Sequence, residues 1–159
     1  MIILGIDPGT ATTGFAVVEK NNDNYKALDF GIFNTASNLK LEERISQIGS
    51  DLEEIIKQYK PEACGIEEVF FTNNIKTAIS VSHARGVVMY ILTKHKIPII
   101  SFTPTQLKSA ITGYGKADKH QVQTMTKIIL NLIEIPKPDD AADALAIAIA
   151  CGNNMHCSI

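Results

Sequence analysis

The chain contains few cysteines and no long apolar segment, and both features limit the classes of protein to which it can belong. Cys64, Cys151 and Cys157 are an odd number of cysteines in 159 residues, so free thiols are expected rather than a disulfide framework. No run approaches the roughly 20 apolar residues of a membrane span, and Asp7 follows the opening MIILGI too early for a secretory signal. A reducing compartment suits free thiols, so the cytoplasm is the predicted location, with no membrane partner.

The composition lacks any sign of a second domain. A mass of 17.3 kDa with 45% apolar and 20% charged residues fits one domain with a substantial core. There is no internal repeat, low-complexity stretch or linker. We expect a single domain over residues 1–152 and a C-terminal tail over 153–159. His156 and Cys157 in that tail do not match the spacing of a structural zinc site, which needs four ligands.

Acidic residues are missing from a long central segment. None occurs between Val69 and Ala117, and the segment 69–133 holds eight Lys or Arg residues against Asp118 alone, a net charge of +7. The rest of the chain carries −9, which the overall value of −2 conceals. This separation of positive from negative charge along the chain favours a polyanionic partner such as nucleic acid. The alternative is that these lysines form an ordinary solvated helix surface.

The hydrophobic pattern predicts an α/β fold with a mixed sheet. Three strands come first, in IILGI, GFAVVE and residues 25–33, and they predict an antiparallel meander. Helices and strands then alternate, as helix 39–59, strand ACGIEE, helix 75–95, strand IPIISF, and helices 105–111, 119–132 and 138–151. Helices are expected on both faces of the sheet.

Carboxylates occur at the ends of two predicted strands and at the start of the last helix. Asp7 closes the first strand and Glu67 the fourth, while Asp139, Asp140 and Asp143 open the last helix. Spacings of three and four residues put Asp143 on one helix face with either Asp139 or Asp140. Acids at a helix start can simply complement the helix dipole. Asp143 is flanked by Ala and Leu, however, where a carboxylate without a cation is costly.

A cluster of this kind predicts a site for hard divalent cations. Mg²⁺ and Mn²⁺ prefer oxygen ligands, and two ions held close together can stabilise both the attacking and the leaving oxygen in phosphodiester hydrolysis. Clustered carboxylates also repel one another, and bound metal relieves this repulsion. The predicted cofactor is Mg²⁺, replaceable by Mn²⁺, with two ions per active site.

Six segments, taken in order, resemble the RuvC-type Holliday junction resolvases along nearly the whole chain. They are MIILGIDPGT with TGFAVVE, GIEEVFFTNN, SHARGV, GYGKADKHQVQ and DDAADALAIAIA. The opening GIDPGT is only moderately specific, because related nucleotide-binding folds share it, but the combination is highly specific. The resemblance implies a ribonuclease-H-like fold, a homodimer and paired symmetric nicks in four-way junction DNA. It also implies partnership with a branch-migration complex of the RuvA and RuvB type.

When the resembling motifs are matched residue by residue, the family's catalytic and metal-binding carboxylates correspond to Asp7, Glu67, Asp140 and Asp143. Strand alternation agrees, since it turns Glu68 to the opposite side from Glu67. Asp139 is then a nearby spare, although spacing alone does not exclude it.

Six further residues are expected to contact DNA. Phe70 matches the family's aromatic at the branch point, where stacking is worth roughly 1–3 kcal/mol per base, although core packing of Phe70 or Phe71 is the alternative. Lys108 and Lys119 match basic positions near the DNA, and His120 is a candidate for phosphate contact or proton transfer. The full predicted set is Phe70, Arg85, Lys108, Lys116, Lys119 and His120.

The chain departs from the family pattern at two places. Ser82 and His83 stand where the family usually has Gly and Gln, and Ala117-Asp118 stands in a loop often written with Glu. Neither change touches the four carboxylates.

Two other function classes stay open at this point. One is a junction-binding module without catalysis, and the other is an ATP-binding fold of the actin and sugar-kinase type, which normally needs two domains.

Overall fold

The fold is built on one mixed β-sheet with helices on both faces. The computed structural model describes residues 1–68 and 75–155, apart from the side chains of residues 75–77. The strands are β1 (Ile2–Asp7), β2 (Thr12–Asn21), β3 (Asn24–Asn34), β4 (Ala63–Glu67) and β5 (Ile99–Phe102). The helices are α1 (Leu41–Tyr59), α2 (Ile75–Lys94), α3 (Pro104–Thr112), α4 (Lys119–Ile129) and α5 (Asp139–Asn154).

The strands lie in the order β3-β2-β1-β4-β5. β2 is antiparallel to both β1 and β3, whereas β4 is parallel to β1 and β5 is parallel to β4. This topology confirms the predicted meander and the predicted α/β class with a mixed sheet. Because β1 and β4 are parallel, their C-terminal ends lie at the same edge of the sheet.

Helix α1 follows directly from its sequence pattern. Ile48, Leu52 and Ile56 recur at four-residue steps and are buried against the sheet and α2. At the N-terminus, the Glu43 carboxylate accepts a hydrogen bond from the Lys40 backbone N–H at 2.8 Å. The helix ends at Tyr59, and the next residue takes a left-handed conformation before Pro61.

Helix α4 ends three residues earlier than the sequence predicted. The apolar pattern continues to Leu132, but the helix stops at Ile129. Asn131 adopts a left-handed conformation with φ 50°, and the Leu132 N–H donates back to the Lys127 carbonyl at 3.0 Å. Leu132 still packs on the core, so its apolar side chain indicates that the residue is buried and does not indicate a helical backbone.

Helix α5 extends three residues beyond its predicted end at Cys151. Side chains from the sheet hold its last turn, where the Lys20 ammonium donates to the Gly152 carbonyl and the Tyr25 hydroxyl donates to Asn153 Oδ1 at 2.7 Å. Lys20 is 5% exposed. Burial lowers its pKa, and its charge suits the negative end of the helix dipole.

The sheet separates two hydrophobic cores. Helices α3, α4 and α5 cover one face, and α1 and α2 cover the other. Cys64 and Cys151 are buried free thiols, as expected, whereas His156 and Cys157 lie outside the described residues. None of the described helices has the length and apolar character needed to cross a bilayer.

Candidate active site

Asp7 and Glu67 lie side by side at one edge of the sheet. Each is the last residue of its strand, and the parallel register of β1 and β4 pairs Ile6 with Ile66 immediately before them. Along both strands, odd-numbered residues face α5, because side chains alternate between the two faces. Both carboxylates therefore point toward α5. Glu68 lines a cleft against α2 instead, as alternation predicted.

Glycines in the sheet allow α5 to lie unusually close to these strand ends. A Cβ placed on Gly5 would collide with the backbone of Ala144, and one placed on Gly14 would collide with the backbone of Asp140. Gly14 is the register partner of Asp7. The absence of side chains at these two positions thus sets the first turn of α5 directly above the end of β1.

The close approach places three other carboxylates around Asp7. The pKa of Asp7 is raised to about 7, first by burial and then by the negative charges of Asp143, Glu67 and Asp140, in that order. Lys119 opposes it. A carboxyl group with so high a pKa is half protonated at neutral pH, so the cluster is strained when no cation neutralises it.

The pKa values of Glu67 and Asp143 are shifted in the same direction as that of Asp7. Burial raises the pKa of each, and the charge of Asp143 adds to the rise at Glu67. Lys119 acts against the shift at both residues, and Lys108 does so at Glu67. Two lysines therefore lie within electrostatic reach of the carboxylates.

Lys119 also contacts the acids of α5 directly. Its ammonium lies 3.1 Å from Asp143 Oδ2 and 3.1 Å from Asp139 Oδ2. The other oxygen of Asp139 accepts a hydrogen bond from the Gln123 amide at 3.2 Å. Although burial opposes it, these hydrogen bonds raise the pKa of Lys119, and they lower that of Asp139.

The donor set suits a divalent cation, but the side chains are not arranged around one. Four carboxylates that repel one another are oxygen ligands of the kind Mg²⁺ and Mn²⁺ prefer. Within residues 1–68 and 75–155, however, no three His, Cys, Asp or Glu side chains already converge closely enough to hold an ion. Asp143 instead makes its close contact with Lys119. If the α5 acids served as ligands, their side chains would have to rotate first.

Comparison with known proteins identifies the family. Residues 3–151 match the family model of the crossover junction endodeoxyribonuclease RuvC. The RuvC of Halothermothrix orenii is 48% identical over 154 residues, covering 97% of this chain and 93% of that protein. The RuvC of Desulforamulus reducens is 49% identical over 149 residues, covering 94% and 91%. The chain belongs to the RuvC family.

The fold agrees with this membership. A solved structure described as T. thermophilus RuvC in complex with Holliday junction substrate superposes with a TM-score of 0.91 at 30% identity, covering 99% of this chain and 97% of that one. The predicted ribonuclease-H-like fold is confirmed. As a member of the RuvC family, the chain is a Holliday junction resolvase, a hydrolase that acts on DNA. The alternatives of an ATP-binding fold and of a binding module without catalysis are wrong.

The residues predicted to contact DNA in this RuvC chain fall in different surroundings. Lys108 lies on α3 within electrostatic reach of Glu67, and Lys119 contacts the acids of α5. Lys116 and His120 are exposed, in the α3–α4 connection and at the start of α4. Phe70 lies outside the described residues.

Arg85 is half-buried and makes its contacts within the protein. Its guanidinium donates to the Glu67 carbonyl at 3.2 Å and to Ser101 Oγ at 3.0 Å, and it contacts Met89 Sδ at 3.2 Å. The first contact fixes the backbone of Glu67 from the face opposite the carboxylates. Its predicted contact with DNA stays a prediction.

One hydrogen-bond network that supports the site was not predicted from the sequence. Thr10, three residues after Asp7, is 3% exposed and donates a hydrogen bond to the Ser80 carbonyl on α2, while Ser80 Oγ donates to Thr10 Oγ1 at 2.6 Å. Thr35 donates to the Thr10 carbonyl at 2.6 Å. These contacts tie the turn after β1 to α2 and to the end of β3. The only available signal was a threonine in a glycine-containing turn, which is common.

Proposed function

We propose that Asp7, Glu67, Asp140 and Asp143 are the catalytic carboxylates of this resolvase and hold Mg²⁺, with Mn²⁺ able to replace it and two ions in each active site. The observation that carries this proposal is the gathering of the four acids at the end of β1, where burial and then the charges of Asp143, Glu67 and Asp140 raise the pKa of Asp7 to about 7. Carboxylates brought together at such a cost are typical of functional sites.

In this mechanism the chain's own residues hold the reactants and balance charge. When bound, a pair of divalent ions stabilises the attacking water oxygen and the leaving phosphodiester oxygen. Asp7 must lose its proton before its carboxylate can serve as a ligand, so protons compete with the metal ion at this residue. Asp143 must exchange its contact with Lys119 for the new role. Lys108 lies close enough to Glu67 to contribute positive charge beside the scissile phosphate.

The DNA surface is proposed to run across α3, the α3–α4 connection and α4. Lys108, Lys116, Lys119 and His120 supply positive charge or hydrogen bonds along this path. Phosphate contacts of this kind fix the position of the DNA, while the shape of the four-way junction determines selectivity. Phe70 is retained as the residue proposed to stack at the branch point.

The resolvase is proposed to act as a homodimer. Two active sites related by a twofold axis suit a junction with approximate twofold symmetry and yield paired, symmetric nicks. A branch-migration complex of the RuvA and RuvB type and a cytoplasmic location remain predictions, as do the domain bounds 1–152 and 153–159.

A cleavage assay tests this proposal. A labelled synthetic four-way junction and a linear duplex of the same sequence are incubated with Mg²⁺, Mn²⁺ or chelator. We expect symmetric nicks in the junction only, in the presence of either metal only. Cleavage that persists in chelator would overturn the metal proposal, and a single unpaired nick per junction would overturn the dimer mechanism.

A further inference from the structure

Lys119 is shared between two carboxylates that differ in burial. Its ammonium lies 3.1 Å from Oδ2 of both Asp139 and Asp143. The Asp143 side chain is 30% exposed, whereas that of Asp139 is 67% exposed. The less exposed partner, Asp143, is among the acids that raise the pKa of Asp7, whereas Asp139 is not among them.

The ammonium and a divalent cation would compete for the Asp143 carboxylate. An ion that takes Oδ2 of Asp143 would displace Lys119 from it, because two cations at one carboxylate oxygen repel each other strongly. A displaced lysine would normally become a free, mobile cation. Here a second carboxylate already holds it at equal distance.

Asp139 is fixed for this purpose from its other side. The Gln123 amide donates to Asp139 Oδ1 at 3.2 Å, which leaves Oδ2 directed at Lys119. Both Gln123 and Lys119 lie on α4, so one helix face holds the two oxygens of a single carboxylate. A carboxylate that only complemented the dipole of α5 would need neither contact.

We propose that Asp139 is a positioning residue that retains the Lys119 ammonium when Asp143 turns to a divalent cation. The inference rests on the proposed metal site. Without Asp139, Lys119 has Asp143 as its one close carboxylate among the described residues. The ammonium then competes more strongly with the ion.

Mn²⁺ binding in the absence of DNA tests the proposal. The free Mn²⁺ signal in electron paramagnetic resonance gives the dissociation constant for wild type, Asp139→Asn, Asp139→Glu, Lys119→Met and the double variant Lys119→Met/Asp139→Asn. We expect Asp139→Asn to weaken Mn²⁺ binding about two- to fivefold, the range typical of an exposed ion pair. Asp139→Glu should restore most of the loss, and Lys119→Met should tighten binding.

The double variant decides the matter. In the Lys119→Met background, Asp139→Asn should change Mn²⁺ binding by less than half as much on a logarithmic scale. An equal loss in both backgrounds would mean that Asp139 acts by its own charge or as a ligand, and would overturn the proposal. Asp7→Asn serves as the reference for the metal site. If it binds Mn²⁺ as wild type does, the proposed metal site itself fails, independently of Asp139.

Discussion

Asp7 combines burial with three negative neighbours, and this combination defines its role at the residue scale. At the end of β1, it lies close to Glu67 on the next strand and to Asp143 and Asp140 on α5. An isolated buried carboxylate would simply stay protonated. The same group among other acids forms a site whose charge only a cation can balance.

Removal of the Asp7 charge should abolish cleavage without abolishing junction binding. We expect Asp7→Asn to reduce the single-turnover cleavage rate by more than about 100-fold, since even residues behind the ligands of a metal site cost 10- to 100-fold. Junction affinity, measured by gel shift in chelator, should change little. Asp23→Asn, in the exposed β2–β3 turn, is the matched control. Normal turnover of Asp7→Asn would refute its assignment.

The stability of the metal-free protein should fall as the pH rises. The pKa of Asp7 is about 7 in the folded state, against an ordinary value of 3.8 for an aspartate in the unfolded chain, so the folded state holds an extra proton between these values. Stability from this group is present below pH 4 and is lost as the pH rises through 7. At pH 8, Asp7→Asn should therefore be more stable than wild type by roughly 1–3 kcal/mol.

Urea unfolding in chelator between pH 4 and pH 8 measures this difference. Asp139→Asn is the control, because Lys119 lowers the pKa of Asp139 and loss of that carboxylate gives no stabilisation at pH 8. Parallel pH profiles for wild type and Asp7→Asn would contradict the expected linkage.

At the element scale, the placement of α5 depends on the glycines beneath it. Gly5 and Gly14 let the helix backbone touch the sheet, and the alanines of α5 continue this close contact along β1 and β2. Burial of small residues alone yields little hydrophobic energy per side chain. The benefit is geometric, because the first turn of α5 is held over the strand ends.

Substitution of Gly5 should separate helix and sheet. We expect Gly5→Ala to lower the free energy of unfolding by roughly 1–3 kcal/mol through overpacking, and to slow cleavage because Asp143 moves with α5. Gly86→Ala on α2 is the matched control, since among the described residues no atom beyond the adjacent backbone of α2 lies within 4 Å of its added Cβ, and it should be neutral or stabilising. Urea unfolding and single-turnover cleavage measure both effects. Equal behaviour of the two variants would contradict the role given to Gly5.

At the scale of the whole molecule, the charge of a sequence segment differs from the charge of a surface. The segment 69–133 carries +7, but Lys94 within it pairs with Glu53 of α1 at 2.8 Å. Lys108, Lys116 and Lys119 belong instead to the α3 and α4 region beside α5. The effective basic surface is therefore smaller than the segment and lies next to the carboxylates.

The salt dependence of junction binding should reflect this smaller surface. Lys108→Ala and Lys116→Ala should each weaken binding and reduce the slope of log affinity against log salt by about 1, because each removes one phosphate contact. Lys57→Ala, in the last turn of α1, is the control and should leave the slope unchanged. Gel-shift titrations in chelator between 50 and 200 mM salt measure these slopes. An unchanged slope for both test variants would remove these lysines from the DNA surface.

Much of the fold was predictable because it depends on local pattern. Runs of apolar, β-branched residues predicted the strands, and steps of three and four residues predicted the helices, with the early end of α4 at Ile129 as the clearest error. An apolar residue such as Leu132 shows burial but not backbone conformation. The motifs that resemble the RuvC family led to the four carboxylates before their surroundings were known.

The sequence by itself determined the order of the elements, the strand-end positions of Asp7 and Glu67, and the family. Only the tertiary structure decided the ionic partners: Lys119 with Asp139 and Asp143, Lys94 with Glu53, and Arg85 with the Glu67 carbonyl. The physical reason is distance along the chain. Periodicity indicates which residues of a helix or strand face the core. An ion pair between elements that are remote in sequence depends instead on how closely those elements pack in the folded protein.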